Sequence, residues 1–202
     1  MVQLESAMNR CLPCSRGDRM NENVFEKFPI LETRRLLLRE VVNDDLDMIF
    51  SFNADPDALR FVARDYYTEK NEAVIKRQSL QAGFHENTGI IWTFILKETR
   101  ASLGYGGYFD IAENRIEAEI GYGILKEFWG QGYVSEAVEE MTRFGFDEMH
   151  LQRVFGRVDP KNIPSAHILQ KLGYQNEGVK VDDEFARGRF FDMTIWAREN
   201  QQ

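Results

Sequence analysis

The segment IEAEIGYGIL at residues 116–125 restricts the fold more than any other part of the sequence. Apolar residues occupy every second position: Ile116, Ala118, Ile120, Tyr122 and Ile124. Two glutamates and two glycines stand between them: Glu117, Glu119, Gly121 and Gly123. This alternation is typical of a half-buried β-strand. An amphipathic helix at 132–149 and a short strand at 153–159 follow, and this order predicts a parallel strand pair joined by a crossover helix.

The remaining apolar patterns predict strands that pair antiparallel, because several of them follow one another directly. Strands are predicted at 36–41, 90–97, 102–111, near 174–182 and at 189–197. Helices are predicted at 46–53, 55–62, 68–87 and 162–173, with Thr68 as the N-cap of the third. The sum is a mixed α+β fold with one sheet and covering helices.

Residues 1–24 are polar and lack periodicity, so we expect a flexible extension before a domain at 25–202. Cys11 and Cys14 lie in this extension, without the surroundings of a redox pair or the further ligands of a zinc site. We expect no bound metal. No apolar run approaches the roughly 18 residues of a membrane span, so we expect no span and a cytoplasmic location. The net charge of -8 disfavours nucleic acid and suits a cationic ligand.

Gly130 and Gly132 stand immediately before the helix at 132–149, where an approaching ligand or a simple turn could require them. A dinucleotide fingerprint would need a third glycine where the chain has Ser135, and no phosphate-loop motif is present. The first amides of a helix lack intrahelical partners and attract anions. Together with the glycines on one face of the preceding strand, they suggest a groove for an extended ligand that ends in phosphates.

Strand 116–125, the EFWGQG loop at 127–132 and the following helix resemble the acetyl-CoA motif of the GNAT N-acetyltransferases. The segments FPILETRRLLLRE, AEIGYGI, FWGQGYVSEA and NIPSAHILQKLGY resemble the Rim-type branch, the ribosomal-protein alanine N-acetyltransferases and their relatives. The resemblance extends from about Phe28 to Trp196. It implies a single twisted, mostly antiparallel sheet with a parallel pair splayed at the cofactor site, and acetyl-CoA as co-substrate.

The resemblance also implies which residues bind acetyl-CoA. The pyrophosphate is expected at the amides of the loop and the helix start: Gly130, Gln131, Gly132, Tyr133, Val134 and Ser135. Ile124 and Leu125 are expected to bond the pantetheine arm, one of their amides also stabilising the developing oxyanion. Asn162 is expected to bond the pantetheine, to cap the helix at 162–172, or both.

The chemistry requires a neutral amine, which a general base can provide. Glu119 is the leading candidate, acting through a water, and Glu117 is the reserve; either could instead be a solvated strand residue. The family's usual proton-donating tyrosine aligns with Leu169 and is therefore missing. Ser165 could face the departing thiolate or cap its helix, and Tyr174 is another substitute, although a coenzyme A thiol needs little help from an acid.

The leading hypothesis is an acetyl-CoA-dependent N-acetyltransferase that acts by direct attack of a primary amine in a ternary complex. A protein N-terminal amine, possibly of a basic protein, is the preferred acceptor. An aminoglycoside, a polyamine or an amino-acid derivative is the first alternative, and a non-catalytic acyl-CoA-binding module is the second. Either a monomer or a homodimer is compatible with the sequence.

Overall fold

A computed structural model describes residues 22–109, 111 and 116–201, and its centre is one eight-stranded sheet. The strands are β1 (Leu31–Glu32), β2 (Leu36–Glu40), β3 (Ile90–Leu96), β4 (Ser102–Phe109), β5 (Glu117–Ile124), β6 (Arg153–Val158), β7 (Gln175–Ala186) and β8 (Arg189–Glu199). The α-helices are α1 (Leu46–Ala54), α2 (Lys70–His85), α3 (Tyr133–Asp147) and α4 (Ile163–Lys171). The N-terminal extension to residue 21, with Cys11 and Cys14, lies outside the described residues.

The strands lie in the order β1-β2-β3-β4-β5-β6-β8-β7. β5 and β6 pair parallel, with α3 as their crossover helix, and the other neighbouring pairs are antiparallel. The parallel pairing joins Glu117–Glu119 to Arg153–Phe155, whereas both strands continue beyond it. The expected mixed sheet with its single parallel pair is therefore confirmed, and the two strands part in their second halves.

Helices cover the sheet on both faces, which explains why every residue of β3 is buried. Alternate residues of β3 enter different clusters: Trp92 packs with α3 residues such as Met141 and Phe144, and Ile91 packs with α1 residues such as Phe52. The site described below lies at the split between β5 and β6. Within the described residues, no helix is long and apolar enough to cross a membrane.

Two of the predicted helical features are wrong. Residues 55–62 form turns, because the Asp55 carboxylate accepts the amide of Asp57 at 2.8 Å and starts a local turn. Thr68 is not an N-cap, since α2 begins at Lys70 with Glu69 at the cap. The carboxylate of Glu72 accepts the amides of both Thr68 and Glu69, at 2.7 and 2.8 Å.

Candidate active site

A cavity of about 280 Å³ opens where β5 and β6 part. Residues 119–123 of β5 and 156–158 of β6 line it, as do Asp159 after β6 and Asn162 and Ser165 at the start of α4. Residues 61–64, which connect α1 to α2, and Glu184 and Met193 of the last two strands also contribute. The split in the sheet therefore brings together residues from distant parts of the chain.

The glycine loop, residues 130–132, lies at the start of α3 and is exposed. Gly130 and Gly132 have φ angles of 73° and 78°, left-handed values that favour glycine, and Gly132 is the N-cap. The amide of Glu136 donates to the carbonyl of Gly132 at 3.2 Å, so the helical ladder begins there and the preceding amides have no intrahelical acceptor. A Cβ at Gly130 would meet no atom within 4 Å, which leaves room for an anion.

Glu136 fixes the glycine loop to the start of β2. Its carboxylate accepts the Thr33 hydroxyl and the Arg35 backbone amide, and the Arg35 Nε donates to it at 2.7 Å. Burial raises the pKa of Glu136, but these hydrogen bonds and the Arg35 charge outweigh burial and lower the pKa overall. Arg35 also donates to the carbonyl of Gln131 at 3.0 Å and stacks over the Tyr133 ring. Arg35 and Glu136 are 101 residues apart, and no local sequence pattern predicts their contact.

The two residues expected to bond pantetheine differ in their backbone geometry. The amide of Leu125 already donates to the carbonyl of Leu103 in β4 at 2.8 Å. Successive residues of a strand direct their amides to opposite edges, so the Ile124 amide points to the side where β6 has parted. Of the two backbone amides expected to stabilise the oxyanion, the Ile124 amide is therefore the one with a suitable direction. Its carbonyl accepts the indole N–H of Trp129 at 3.0 Å.

Asn162 caps α4, because its side-chain oxygen accepts the Ser165 amide at 3.3 Å. The alternative of Ser165 as the cap is therefore wrong. The Ser165 hydroxyl instead lies 2.9 Å from the hydroxyl of Tyr122 on β5. Both Asn162 and Ser165 line the cavity, so the capping role leaves Asn162 next to the space expected for a ligand.

Tyr122 is the functional candidate that the sequence analysis missed. The alternation of β5 assigned it to the apolar face, but its side chain lines the cavity and its hydroxyl reaches Ser165. Burial raises the pKa of Tyr122 to about 12, the hydrogen bond to Ser165 opposing it in part. Tyr174 bonds the Thr142 hydroxyl at 2.7 Å and is not among the cavity residues. The available signal in the sequence is the tyrosine itself, because its hydroxyl needs a hydrogen-bond partner when an apolar strand face buries it.

Glu119 lies in an ionic cluster around Arg157 of β6. Arg157 donates to the Glu119 Oε2 atom from Nε at 3.0 Å, and its Nη1 atom is 2.7 Å from a Glu184 oxygen and 3.6 Å from an Asp183 oxygen. Burial lowers the pKa of Arg157, but these carboxylates outweigh burial and raise it. Glu117, the reserve base, bonds Arg153 at 2.9 Å and does not line the cavity. The cluster is acidic overall, three carboxylates to one guanidinium.

The loop at residues 61–64 adds a positive charge to the cavity lining. Arg64 lines the cavity and donates from Nη1 to the Asn53 side-chain oxygen at 2.9 Å and to the Tyr105 hydroxyl at 3.3 Å. A guanidinium has five N–H donors, so this anchoring uses only part of its capacity. The cavity therefore presents carboxylates on the β5–β6 side and a cation on the loop side.

Aromatic rings pack against the glycine face of β5. A Cβ at Gly123 would collide with the ring of Phe52, and one at Gly121 would lie 3.0 Å from the ring of Phe109. Both rings line the cavity. The missing side chains therefore make room for these rings, as well as for the groove that the sequence suggested.

The comparisons with known proteins agree with this geometry. Residues 35–175 match the family model of the acetyltransferase (GNAT) domain. The chain is 31% identical over 170 residues to the uncharacterized N-acetyltransferase YoaA of Bacillus subtilis (strain 168), and the match covers 84% of this chain and 96% of YoaA.

Two solved structures share the fold. RimL, a ribosomal L7/L12 alpha-N-protein acetyltransferase in complex with coenzyme A, has a TM-score of 0.76 and 17% identity over 85% of this chain and 98% of its own. Spermidine N-acetyltransferase from Vibrio cholerae, in complex with coenzyme A and spermine, has a TM-score of 0.73 and 19% identity over 83% and 97%. Since the family model spans most of the chain, the protein belongs to the GNAT family of acetyltransferases.

Proposed function

We propose that the protein is a cytoplasmic enzyme that moves the acetyl group of acetyl-CoA to a protein N-terminal amine, by direct attack in a ternary complex. The observation that carries the proposal is the split between β5 and β6, which opens a cavity lined by Glu119, Arg157 and Glu184 and bordered by the start of α4. An extended ligand and an amine could thus meet inside one sheet.

Acetyl-CoA would supply the acetyl thioester. The residues that suit its pyrophosphate are those of the glycine loop and the first turn of α3: Gly130, Gln131, Gly132, Tyr133, Val134 and Ser135. Asn162 lines the cavity, which suits the pantetheine arm. The backbone of Ile124, at the end of β5 beyond its pairing with β6, is proposed to bond the same arm. An extended arm in a strand split can bond the exposed backbone as an added strand does.

Glu119 is proposed to accept the proton of the acceptor amine, directly or through a water. The guanidinium of Arg157 donates a charge-assisted hydrogen bond to Glu119 and holds the carboxylate in place. The Ile124 amide would donate to the thioester oxygen as negative charge develops there. An α-amino group has a pKa near 8, so about one in ten is neutral at pH 7 and a base increases the reactive fraction.

Ser165 is proposed to donate a proton to the departing sulfur, while the Tyr122 hydroxyl is hydrogen-bonded to Ser165. Their hydroxyls are 2.9 Å apart, and the Tyr122 pKa of about 12 keeps that hydroxyl protonated through neutral and moderately alkaline pH. A coenzyme A thiol is acidic enough to leave as the thiolate, so proton donation by Ser165 is expected to increase the rate only modestly. The pair replaces the tyrosine that is absent at Leu169.

Tyr122→Phe is expected to lower kcat by about tenfold, below the usual range for general acid catalysis. The reason is the loss of the hydroxyl behind Ser165, while the ring still fills its place. Steady-state kinetics with saturating acetyl-CoA would measure it. Tyr174→Phe is the control, because its hydroxyl bonds Thr142 away from the cavity. Equal effects of the two substitutions would contradict the role of Tyr122.

Arg64 supports an N-terminal amine over a polyamine. The peptide carbonyls next to an N-terminal amine would suit the guanidinium of Arg64, whereas a polyamine is cationic along its length and would be repelled. The acidic cluster favours the runner-up, a polyamine, and the spermidine enzyme that shares the fold agrees with it. The two walls of the cavity thus favour different acceptors.

A screen of peptides with free N-termini, spermidine and an aminoglycoside, followed by the release of free thiol, would decide between these acceptors. We expect turnover with peptides, and weaker turnover with the same peptides when their first carbonyl is reduced to a methylene. Turnover with spermidine alone would replace the proposed acceptor. Binding of coenzyme A without thiol release for any amine would favour the non-catalytic module.

A further inference from the structure

Arg187 stands at the tip of the β7–β8 hairpin and is not among the cavity residues. Arg187 and Gly188 form the two-residue turn, with φ angles of 48° and 71°, and Ala186 pairs with Arg189 on either side of it. Two left-handed residues are typical of the tight hairpin turn whose twist matches that of the strands. An arginine is unusual in this conformation, so its side chain is the feature to explain.

The guanidinium of Arg187 binds three carbonyls of the loop at 59–65. It donates to Leu59 at 3.1 Å, to Val62 at 2.9 Å and also to Arg64. The Arg187 backbone amide adds a hydrogen bond to the Asp65 carboxylate at 3.0 Å. Three carbonyl dipoles that converge on one point repel one another, and a planar cation with several donors satisfies them together.

The loop that Arg187 binds has turns and bends instead of regular structure, yet residues 61–64 form one wall of the cavity. Leu59 gives one end of the loop an apolar anchor, because it is fully buried in the cluster that contains Phe52, and Val62 packs against the same cluster. Ala63 packs against a second cluster of Ala186, Phe191 and Met193. The hydrogen bonds to Arg187 add polar anchors at residues 62–65, where the chain has no regular hydrogen-bonded structure.

We propose that Arg187 is a positioning residue for the acceptor. It fixes the backbone of the 59–65 loop from outside the cavity and thereby sets the place of the Arg64 guanidinium in the cavity that Glu119 and Glu184 also line. This inference rests on the proposed function for its effect on turnover. Its structural part, the fixing of the loop, can be measured without any acceptor.

The experiment compares Arg187→Ala, Arg187→Lys and the control Arg189→Ala. Arg189 lies two residues away on the same hairpin, and its bond to the loop is a single 3.4 Å contact with the Arg60 carbonyl. Hydrogen exchange reports on the loop amides of Leu59, Val62 and Arg64, which have recorded backbone acceptors. Isothermal titration with coenzyme A and steady-state kinetics with the N-terminal peptide complete the set.

We expect Arg187→Ala to raise the exchange rates of these amides and to raise the acceptor KM by about 10- to 100-fold, as a displaced binding group does. The affinity for coenzyme A should stay within about twofold. Arg187→Lys should recover only part of the effect, since an ammonium lacks the planar fork. Arg189→Ala should resemble the wild type in every measurement.

Arg64→Ala, alone and combined with Arg187→Ala, completes a double-mutant cycle. If Arg187 acts through Arg64, Arg187→Ala should not raise the acceptor KM further once the Arg64 side chain is removed. Full additivity of the two substitutions would overturn the proposed route, as would unchanged loop exchange in Arg187→Ala. If the wild type acetylates no amine, the proposed function fails, and the exchange data alone then decide whether Arg187 fixes the loop. A parallel loss of coenzyme A binding would show a general structural role and would also overturn the proposal.

Discussion

Glu119→Gln is expected to lower kcat/KM by about 10²-fold at neutral pH, the lower end of the range for general base catalysis. The lower end applies because Arg157 already donates to the Glu119 carboxylate, so that the amine must share this acceptor with the guanidinium. Glutamine keeps the shape of the side chain but cannot accept the proton. Initial rates between pH 6 and pH 9, with an N-terminal peptide as acceptor, would measure the effect.

The pH profile distinguishes a lost base from a damaged site. Without a base, the rate should follow the neutral fraction of the amine and rise about tenfold per pH unit until the amine's own pKa, near 8. Glu117→Gln is the matched control, because Glu117 lies on the same strand face, is paired with Arg153 and lies outside the cavity lining. A Glu119→Gln profile identical to that of the wild type would remove Glu119 from the mechanism.

Gly130→Ala is expected to weaken coenzyme A binding by about 10- to 100-fold. The φ of 73° is strained for alanine by roughly 1–2 kcal/mol, and a loop that relaxes would turn its amides away from the anion. A hydrogen bond to a charged group contributes about 1.5–3 kcal/mol, which corresponds to the expected range. Isothermal titration of coenzyme A into the purified variant measures the change directly.

Gly188→Ala controls for the strain itself. Gly188 has nearly the same φ, 71°, and a Cβ there would also meet no atom within 4 Å. The two variants should lose similar amounts of thermal stability, since the backbone strain is the same. Only Gly130→Ala should lose affinity for coenzyme A. Equal affinities of the two variants would exclude the glycine loop as the pyrophosphate site.

Local patterns predicted the elements that build the site. The alternation of β5 and the helical spacing of α3 predict the parallel crossover. The two glycines before α3 predict a helix start at which the backbone needs glycine. Asn162 was named as a cap, and the structure shows that cap. Each of these features depends on neighbours within a few residues, where side-chain periodicity and capping act.

Contacts between distant segments were beyond these patterns. No sequence pattern near Glu119 predicts its contact with Arg157, because the two residues meet only when β5 and β6 become neighbours. The alternation places Tyr122 on the apolar face of its strand, but it cannot indicate whether that face borders a cavity. The start of α2 is a local exception: the Glu72 carboxylate accepts the amides of Thr68 and Glu69, and Glu69 instead of Thr68 is the cap. Such outcomes follow from competition among partners in three dimensions.

The contact of Arg35 with Glu136 spans 101 positions along the chain. Closing so long a loop costs entropy that local structure cannot recover, and contacts of this range are slow to form. Helix α3 can form early, but the loop before it gains this support only when the β1–β2 segment has docked. We therefore expect any affinity of this loop for an anion to be acquired late, with the completed sheet. A ligand at the loop would favour this last state by mass action and act as a check on complete folding.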